Sequence, residues 1–185
     1  MILRHPLVTN RLRLRTLKKK DVKPKYLAWL KDKKVTRYLE VRFQKPLSFY
    51  SLRQFVRKNN SSPNNLLLGI YSLPTNHFIG TIKLGPIDLH HNRTPIGFMI
   101  GERSFWGKGL APEAIQAVVR HAFQKLKLEK ITAGCYENNL GSRKALKKAG
   151  FRFEARIPNH VRYGKKRVAS LFFGQDRPRK KKNRK

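Results

Sequence analysis

The spacing of apolar and polar positions predicts a strand and two helices in the first third of the chain. Arg11–Leu17 alternates between basic and apolar residues, and this period of two predicts a half-exposed strand. Helices are predicted over Pro24–Lys31 and Pro46–Arg57, the second because its apolar residues recur at spacings of three and four. The segment Lys58–Asn65, rich in Asn and Ser, predicts a loop.

Three apolar runs in close succession predict an antiparallel meander in the middle of the chain. They are Leu66–Ser72, His77–Gly85 and Thr94–Glu102, and a Pro-Thr-Asn turn separates the first two. The polar segment Asp88–Arg93 supplies the second connection.

After the meander the period of the apolar positions changes. Apolar residues recur at helical spacing from Ile115 to Leu126, with Pro112 and Glu113 in the expected first turn. The remaining predictions are a strand over Lys130–Glu137, a short helix from Asn139 to Gly150, and a final pair, Phe151–Ile157 and Val161–Gly174, the latter with a turn at Gly164. The order of elements predicts a mixed α/β domain with a crossover helix.

Length and composition limit the class of protein. A chain of 185 residues can bury the core of one domain, and its apolar fraction of 39% suits a globular protein. No run approaches the ~20 apolar residues of a membrane span, so we expect no membrane partner. The single cysteine, Cys135, predicts neither a disulfide framework nor a cysteine-based metal site. Since the N-terminus also lacks a secretory pattern, we expect a cytoplasmic location.

The charge balance indicates an anionic partner. Lys and Arg number 43 against 10 acidic residues, which gives a formal net charge of +33. Such a field attracts nucleic acid, the ribosome, anionic lipid or phosphorylated ligands. A general enrichment in cations that only coats the fold is the alternative. The basic segment of residues 176–185 is predicted to be a disordered tail.

A glycine-rich turn between a strand and the long helix carries the clearest chemical signal. The stretch FWGKGLAPEA runs from Phe105 to Ala114. It is not a nucleotide P-loop, because the string G-x-x-x-x-G-K-[ST] does not occur in the sequence. It is not a dinucleotide fingerprint either, because Pro112 occupies the sixth position counted from Gly107. Bare N–H groups at a helix N-terminus still predict an anion site, with phosphate as the first candidate ligand. A plain turn without a ligand is the alternative.

Two separated motifs resemble a known family. IGFMIGERSFWGKGLAPEA and ENNLGSRKALKKAGF are similar to the GNAT superfamily of acetyl-CoA-dependent N-acetyltransferases, closest to the RimJ/RimL-like branch that modifies ribosomal-protein N-termini. The resemblance runs from about Asn10 to Gly174. It implies an α/β fold with a mixed, mostly antiparallel central sheet and flanking helices, in a single domain over residues 1–175.

The resemblance implies a site for acetyl-CoA as co-substrate. N–H groups from Gly107 to Ala111 would grip the pyrophosphate, with Trp106 in place of the family's usual Arg or Gln. The preceding strand would pair its backbone with the pantetheine arm, which Asn139 would bind from the other side. The predicted cofactor-binding residues are Phe98, Met99, Ile100, Trp106, Gly107, Lys108, Gly109, Leu110, Ala111 and Asn139.

The resemblance also implies catalytic groups. Many family members protonate the leaving thiolate with a tyrosine seven residues after the asparagine, but Leu146 stands there, so Ser142 is the candidate acid. Glu102 and Glu137, at the ends of two strands, are the candidate bases. The alternatives are structural: Asn139 is only a helix cap, Ser142 only a first-turn residue, and both carboxylates are paired with nearby lysines.

These features predict an enzyme that transfers an acetyl group to a primary amine by direct attack. Branch resemblance and charge favour a ribosomal-protein N-terminus as acceptor, with ribosome or RNA association through the basic surface and tail. A small amine, such as an amino sugar on a nucleotide carrier, is the alternative acceptor. A nucleic-acid-binding protein on a degenerate acetyltransferase scaffold is the alternative from a different class. We expect no metal in any of these cases.

Overall fold

Eight strands form one sheet whose spatial order follows the chain except at its end. The computed structural model describes residues 1–44 and 47–178. The strands are β1 (Leu7–Val8), β2 (Leu12–Thr16), β3 (Leu66–Ser72), β4 (His77–Leu84), β5 (Arg93–Ile100), β6 (Lys130–Tyr136), β7 (Arg152–Tyr163) and β8 (Lys166–Asp176). They are ordered β1-β2-β3-β4-β5-β6-β8-β7. The predicted antiparallel meander of β3, β4 and β5 is confirmed.

Helices flank the sheet, and the third of them differs in extent from the prediction. They are α1 (Pro24–Lys31), α2 (Lys33–Thr36), α3 (Phe49–Ser61), α4 (Leu110–Gln124) and α5 (Leu140–Ala149). The loop predicted over Lys58–Asn65 is wrong for its first residues, because α3 continues through them with Asn59 buried. The amide of Asn59 donates to the carbonyl of Phe55 at 2.8 Å, so this polar side chain is satisfied within the helix. The predicted start at Pro46 lies outside the described residues.

Strand β3 shows why the core has two sides. Its Leu-Leu-Leu run is buried on both faces: Leu66 and Leu68 pack with α4 and α5, whereas Leu67 packs with α1 and α3. The predicted apolar stripe of α4 is buried in the first of these clusters. The sheet therefore separates an α4–α5 layer from an α1–α3 layer, which is the predicted fold class.

Strands β5 and β6 pair only at their beginnings. They run parallel, with partners at Arg93 and Lys130, Thr94 and Ile131, and Pro95 and Thr132. Beyond these three pairs β5 stays with β4 while β6 stays with β8, so a wedge-shaped gap opens in the sheet. The bend predicted to bind phosphate follows β5, at the open end of this gap.

The C-terminal hairpin is longer than predicted. Residues between Ile157 and Val161, expected to separate two segments, lie within one strand that absorbs them as a register shift. Asp176 ends β8 and does not belong to the predicted tail, and the N–H of Arg177 donates to the carbonyl of Glu129 at 2.7 Å. The predicted disorder of the tail concerns mainly residues 179–185, which lie outside the described residues. Within residues 1–44 and 47–178, no helix combines the length and apolarity that a membrane crossing requires.

Candidate active site

Two glycines shape the bend that joins β5 to α4. Gly107 and Gly109 both have φ of 74°, a left-handed conformation that costs other L-residues free energy. Gly109 is also the N-cap of α4, which begins at Leu110 and has Pro112 and Glu113 in its first turn, as predicted. These glycines turn the chain so that successive peptide groups expose their N–H groups instead of pairing them.

The bend and the first turn of α4 present a run of free backbone donors. Among the described residues, the N–H groups of Gly107, Lys108, Gly109, Leu110 and Ala111 have no hydrogen-bond acceptor. The first bond that closes the helix runs from the N–H of Glu113 to the carbonyl of Gly109, at 3.4 Å. Consecutive free donors at the positive end of a fifteen-residue helix have the chemistry of a phosphate site.

Arg11, at the start of the first predicted strand, binds the carbonyl side of the bend. Its guanidinium donates to the carbonyl of Lys108 at 2.9 Å and to that of Gly109 at 3.4 Å. Its Nε also donates to the carboxylate of Glu113 at 2.7 Å, and Thr9 donates to the same carboxylate at 2.7 Å. Because Arg11 takes up the carbonyl oxygens, the opposite ends of these peptide groups, the N–H donors, face away from it.

Glu113 is held in its charged form by this contact. Burial alone raises the pKa of a carboxyl, but hydrogen bonds from Thr9 and Arg11 outweigh it and keep the pKa of Glu113 below its ordinary value. The carboxylate also lies in the first turn of α4, where the helix dipole favours a negative charge. The anchor of the bend is therefore ionised at neutral pH.

Trp106 and Lys108 flank the free donors. The indole Nε1 of Trp106 donates to the carbonyl of Ile100 at 2.7 Å, which ties the bend to the end of β5. The Trp106 backbone N–H donates to Arg103, so this amide is not one of the free donors. The ammonium of Lys108 lies 5.4 Å from the ring centre of Phe105, beside the bend.

Hydrogen bonds at both ends of β5 establish which of its residues face β4. The N–H of Gly85 donates to the carbonyl of Pro95 at 3.0 Å, and the N–H of Gly101 donates to that of Ile79 at 2.9 Å. Backbone groups of a strand point to alternate sides. The odd-numbered residues of this segment therefore face β4 with their backbone, and the even-numbered residues face β6.

This register separates the three residues predicted to pair with pantetheine. Phe98 and Ile100 direct their backbone groups into the gap between β5 and β6, where no strand meets them. Met99, the partner of Thr81, turns its backbone to β4, and its side chain lines a cavity on the α1–α3 side. Phe98 thus offers its main-chain N–H and carbonyl to a ligand in the gap, whereas Ile100 offers its N–H, because its carbonyl already accepts from Trp106.

The gap between β5 and β6 is a cleft of about 310 Å³. Phe98 lines it from β5, Gly134 and Tyr136 from β6, and Asn139 and Ser142 from the N-cap and the first turn of α5. The cleft is thus bounded by main chain on one side and by the start of a helix on the other. An extended ligand that enters it meets the polar side chains of α5 opposite the free edge of β5.

Cys135 also lines this cleft. Burial raises the pKa of its thiol to about 11, so the thiol is protonated at neutral pH and is a poor nucleophile.

Asn139 and Ser142 are joined by two hydrogen bonds. The side-chain oxygen of Asn139 accepts from the N–H of Ser142 at 3.1 Å, which is an N-cap, and its amide nitrogen donates to the Ser142 hydroxyl at 2.9 Å. The structural roles weighed for both residues are therefore real. Because the hydroxyl oxygen of Ser142 already accepts a hydrogen bond from Asn139, its own O–H remains available to donate to a different group.

The two predicted bases have cationic partners in the structure. Glu102 pairs with Lys25, whose hydrogen bond lowers the pKa of Glu102, and it lies 3.9 Å from His77. Glu137 pairs with Arg156 at 2.9 Å. Neither carboxylate lines the cleft or the cavity on the α1–α3 side. Both carboxylates thus form the ion pairs that the structural alternative expects. A catalytic role for either of them stays a prediction.

Sequence reasoning missed a carboxylate that does line the cleft. Glu40, in a short 3-10 turn after α2, accepts a hydrogen bond of 2.9 Å from the hydroxyl of Tyr136. Arg42 donates to the same hydroxyl at 3.1 Å. Nothing in the local pattern marks Glu40, because its proximity to β6 depends on contacts nearly a hundred residues apart. In the described part of the chain, no three His, Cys, Asp or Glu side chains come together as a metal site.

Comparison with known proteins identifies the family. The model of the acetyltransferase (GNAT) domain matches residues 11–152, so the chain belongs to this family. The chain is 38% identical over 95 residues to the Probable N-acetyltransferase YjcK of Bacillus subtilis, a match that covers 51% of this chain and 52% of YjcK. The match thus spans about half the length of that relative. The enzyme class is N-acetyltransferase.

Solved structures share the fold at low sequence identity. RimL, a ribosomal L7/L12 alpha-N-protein acetyltransferase in complex with coenzyme A, has a TM-score of 0.81 at 17% identity, covering 93% of this chain and 98% of its own. The spermidine N-acetyltransferase of Vibrio cholerae, in complex with CoA and spermine, has a TM-score of 0.80 at 19% identity, with coverage of 91% and 97%. At this identity the likeness establishes the architecture, and not the acceptor.

Proposed function

We propose that this protein transfers the acetyl group of acetyl-CoA to a primary amine by direct attack. The observation that carries the proposal is the run of free N–H groups from Gly107 to Ala111, adjacent to the open edge of β5. A pyrophosphate on these donors and an extended arm along the edge use two features that the fold otherwise leaves unsatisfied. Coenzyme A in solved relatives of the same fold supports this assignment.

The residues of the cleft have separate roles in the proposal. The bend binds the pyrophosphate, and the main chain of Phe98 and Ile100 pairs with the pantetheine arm opposite Asn139. When bound, acetyl-CoA supplies an activated thioester: the amine nitrogen forms a bond to the acetyl carbon, and the carbon–sulfur bond breaks. Main-chain donors at the open edge stabilise the developing oxyanion, a contribution of ~3 kcal/mol for one such donor. The free O–H of Ser142 gives its proton to the departing thiolate.

The proton of the attacking amine needs an acceptor. Glu102 and Glu137 were predicted for this role, but each is paired with a cation outside the cleft. Glu40 lies at the cleft itself, fixed by Tyr136, and is exposed to solvent. We therefore add Glu40 to the candidates, as the carboxylate that can take the amine proton through water without leaving its hydrogen bond.

Binding of the donor is the first test. Calorimetry with acetyl-CoA should give a heat of association for the folded protein, and acetyl-CoA should raise its melting temperature. The variant Gly109→Val should bind more weakly, since its backbone cannot keep the left-handed conformation of the bend. If well-folded protein gives no heat with acetyl-CoA but is stabilised by RNA alone, the enzyme proposal fails and the nucleic-acid-binding alternative replaces it.

For the acceptor, we propose a protein N-terminus, with a ribosomal protein as the particular case. The net charge of +33 supports docking on ribosomal RNA, in the cytoplasm, as the means of reaching it. A free basic peptide would be repelled by the same field, so a direct peptide substrate is neutral or acidic near its end. An amino sugar on a nucleotide carrier is the second candidate, because its pyrophosphate suits the cationic field.

Two measurements test the acceptor. Sedimentation with ribosomes should show association that decreases as salt increases, and its absence at low salt would remove the docking proposal. Mass spectrometry of ribosomal proteins and small amines, from cells with and without the gene, should show acetylation lost from one class. Loss from the small amines alone would overturn the protein acceptor.

A further inference from the structure

An apolar cavity of about 540 Å³ lies beside the cofactor cleft, on the side of the sheet that α1 and α3 cover. Its volume lies within the range of small-molecule sites, and its surface is mainly hydrocarbon. The aliphatic and aromatic residues that line it include Leu30, Leu39, Val41, Leu52, Phe55 and Met99. We refer to it below as the apolar cavity.

The apolar cavity and the cofactor cleft share a wall. Leu39, Gly97 and Phe98 line both of them. Gly97 is exposed, and a Cβ atom placed on it would meet no atom within 4 Å, so the space where the two cavities meet is open. A molecule bound in the apolar cavity can therefore bring one end to the edge of β5 at Phe98.

A single charged side chain lines the apolar cavity in the part of the chain that the structure describes. It is Lys83 of β4, and none of the described carboxylates lies within salt-bridge distance of its ammonium. Burial, and secondarily the charge of Lys58, lowers the pKa of Lys83. A half-buried cation without a counterion favours a ligand that brings a negative charge.

Resting on the proposed acetyl transfer, we propose that the acceptor is an amine on a bulky apolar group that also carries a negative charge, with the apolar group in this cavity and the negative charge at Lys83. The amine then lies at the shared wall, beside Phe98. A polyamine fits poorly, because its cations would face Lys83 and hydrocarbon with no described carboxylate in the lining. A small polar group would leave the cavity unfilled.

The test measures kcat/KM for four probes through release of the CoA thiol. L-Leucine carries the apolar group and the negative charge, leucinamide lacks the charge, L-serine lacks the apolar group, and spermidine is a polycation. Leucine should exceed serine by about tenfold or more, since burying the larger side chain is worth that factor. Spermidine should be the poorest of the four.

The variant Lys83→Met tests the charge. The ratio of leucine to leucinamide should fall by about tenfold in this variant, the size expected for one charge-assisted contact. The folded fraction cancels in the ratio within one protein, and the difference in amine basicity between the two probes cancels when the ratios of the two proteins are compared. Lys125→Met, which removes the same charge at the end of α4 and outside both cavities, should leave the ratio unchanged.

The source of this chemistry is either a protein N-terminus or a free amino acid. To distinguish them, kcat/KM for a peptide that begins Leu-Glu is compared with that for a peptide that begins Leu-Lys and with that for L-leucine. Spermidine as the best probe, or a leucine-to-leucinamide ratio that Lys83→Met does not change, would overturn the inference and leave acetyl transfer intact. Binding of acetyl-CoA without acetylation of any probe would also overturn it. Absence of acetyl-CoA binding would instead overturn the proposed function.

Discussion

The guanidinium of Arg11 and the carboxylate of Glu113 form an ion pair of 2.6 Å across more than a hundred residues of chain. Arg11 belongs to the turn before β2 and Glu113 to the first turn of α4, and between them lies the bend after β5. Since Arg11 also binds the carbonyls of Lys108 and Gly109, the pair fixes the position of the free N–H groups. Pre-organisation of these donors reduces the entropy lost when an anion binds.

Removal of Arg11 should weaken acetyl-CoA binding without abolishing the fold. In Arg11→Met the carbonyls of the bend lose their donor, and we expect Kd for acetyl-CoA to rise about tenfold, the factor for a hydrogen bond to a charged group. Calorimetry measures the change. Arg13→Met, two residues further along in β2 and without contact to the bend, is the matched control for the lost charge. Equal losses in both variants would show that only net charge matters.

The contribution of Glu113 to stability should depend on pH. Its pKa is lowered in the folded protein, so the stabilisation is present above the ordinary value of 4.5 and disappears as pH falls through the folded-state pKa. We expect Glu113→Gln to cost ~1 kcal/mol of unfolding free energy at neutral pH and less as the solution becomes acidic. Urea unfolding of both proteins between pH ~3 and ~7 measures the difference. A constant difference across that range would contradict the assignment.

Substitutions of Gly109 should rank by how well each residue tolerates a positive φ. A Cβ at this position would lie 3.6 Å from Arg11 Nη2, an ordinary contact, so backbone strain and not collision sets the cost. We expect Gly109→Val to lose ~1–2 kcal/mol of unfolding free energy and Gly109→Asn to lose less, because Asn adopts this conformation more readily. Thermal or urea unfolding provides the ranking. Equal costs for Val and Asn would indicate that the φ of 74° is not what selects glycine.

Loss of the Ser142 hydroxyl should slow turnover more than binding. We expect Ser142→Ala to lower kcat about 10²-fold, the lower range for one proton transfer, with little change in KM for acetyl-CoA. Asn139→Ser keeps an N-cap oxygen but removes the amide donor to Ser142, so it should keep stability and lose part of kcat. Ser61→Ala, at the end of α3, is the control. Unchanged kcat in Ser142→Ala would reduce this serine to its structural role.

Patterns that depend on neighbours in the chain predicted the fold well. The alternation around β2 and the helical stripe of α4 each formed the expected element, because burial of one face selects the period. The three apolar runs of the meander also formed the expected strands, the first of them buried on both faces. The end of α3 was mispredicted for a local reason as well. Asn59 and its polar neighbours look like a loop, but their side chains return hydrogen bonds to the helix. Composition alone cannot reveal that the segment is packed against the sheet.

The same distinction between local patterns and long-range contacts applies to the candidate site. The bend could be predicted because glycine and proline act locally on the backbone, and Asn139 because a cap acts within one turn. The roles of Arg11 and Glu40 could not be predicted, because each depends on a hydrogen bond to a residue far along the chain. Arg11 and Lys108 are 97 positions apart, and Glu40 and Tyr136 are 96 positions apart. The cationic partners of Glu102 and Glu137 could not be predicted from the sequence either. A carboxylate at a strand end has the same local sequence pattern whether it faces Lys25, Arg156 or a cleft.

The short contact between β5 and β6 leaves part of one edge of β5 without a neighbouring strand. Three residue pairs join the two strands, so the amides of Phe98 and Ile100, beyond Pro95, have no strand acceptor on the β6 side. An extended molecule in the wedge would supply acceptors to these amides, as a neighbouring strand does. Amide hydrogens of Phe98 and Ile100 should therefore exchange with solvent far more slowly once the wedge is filled.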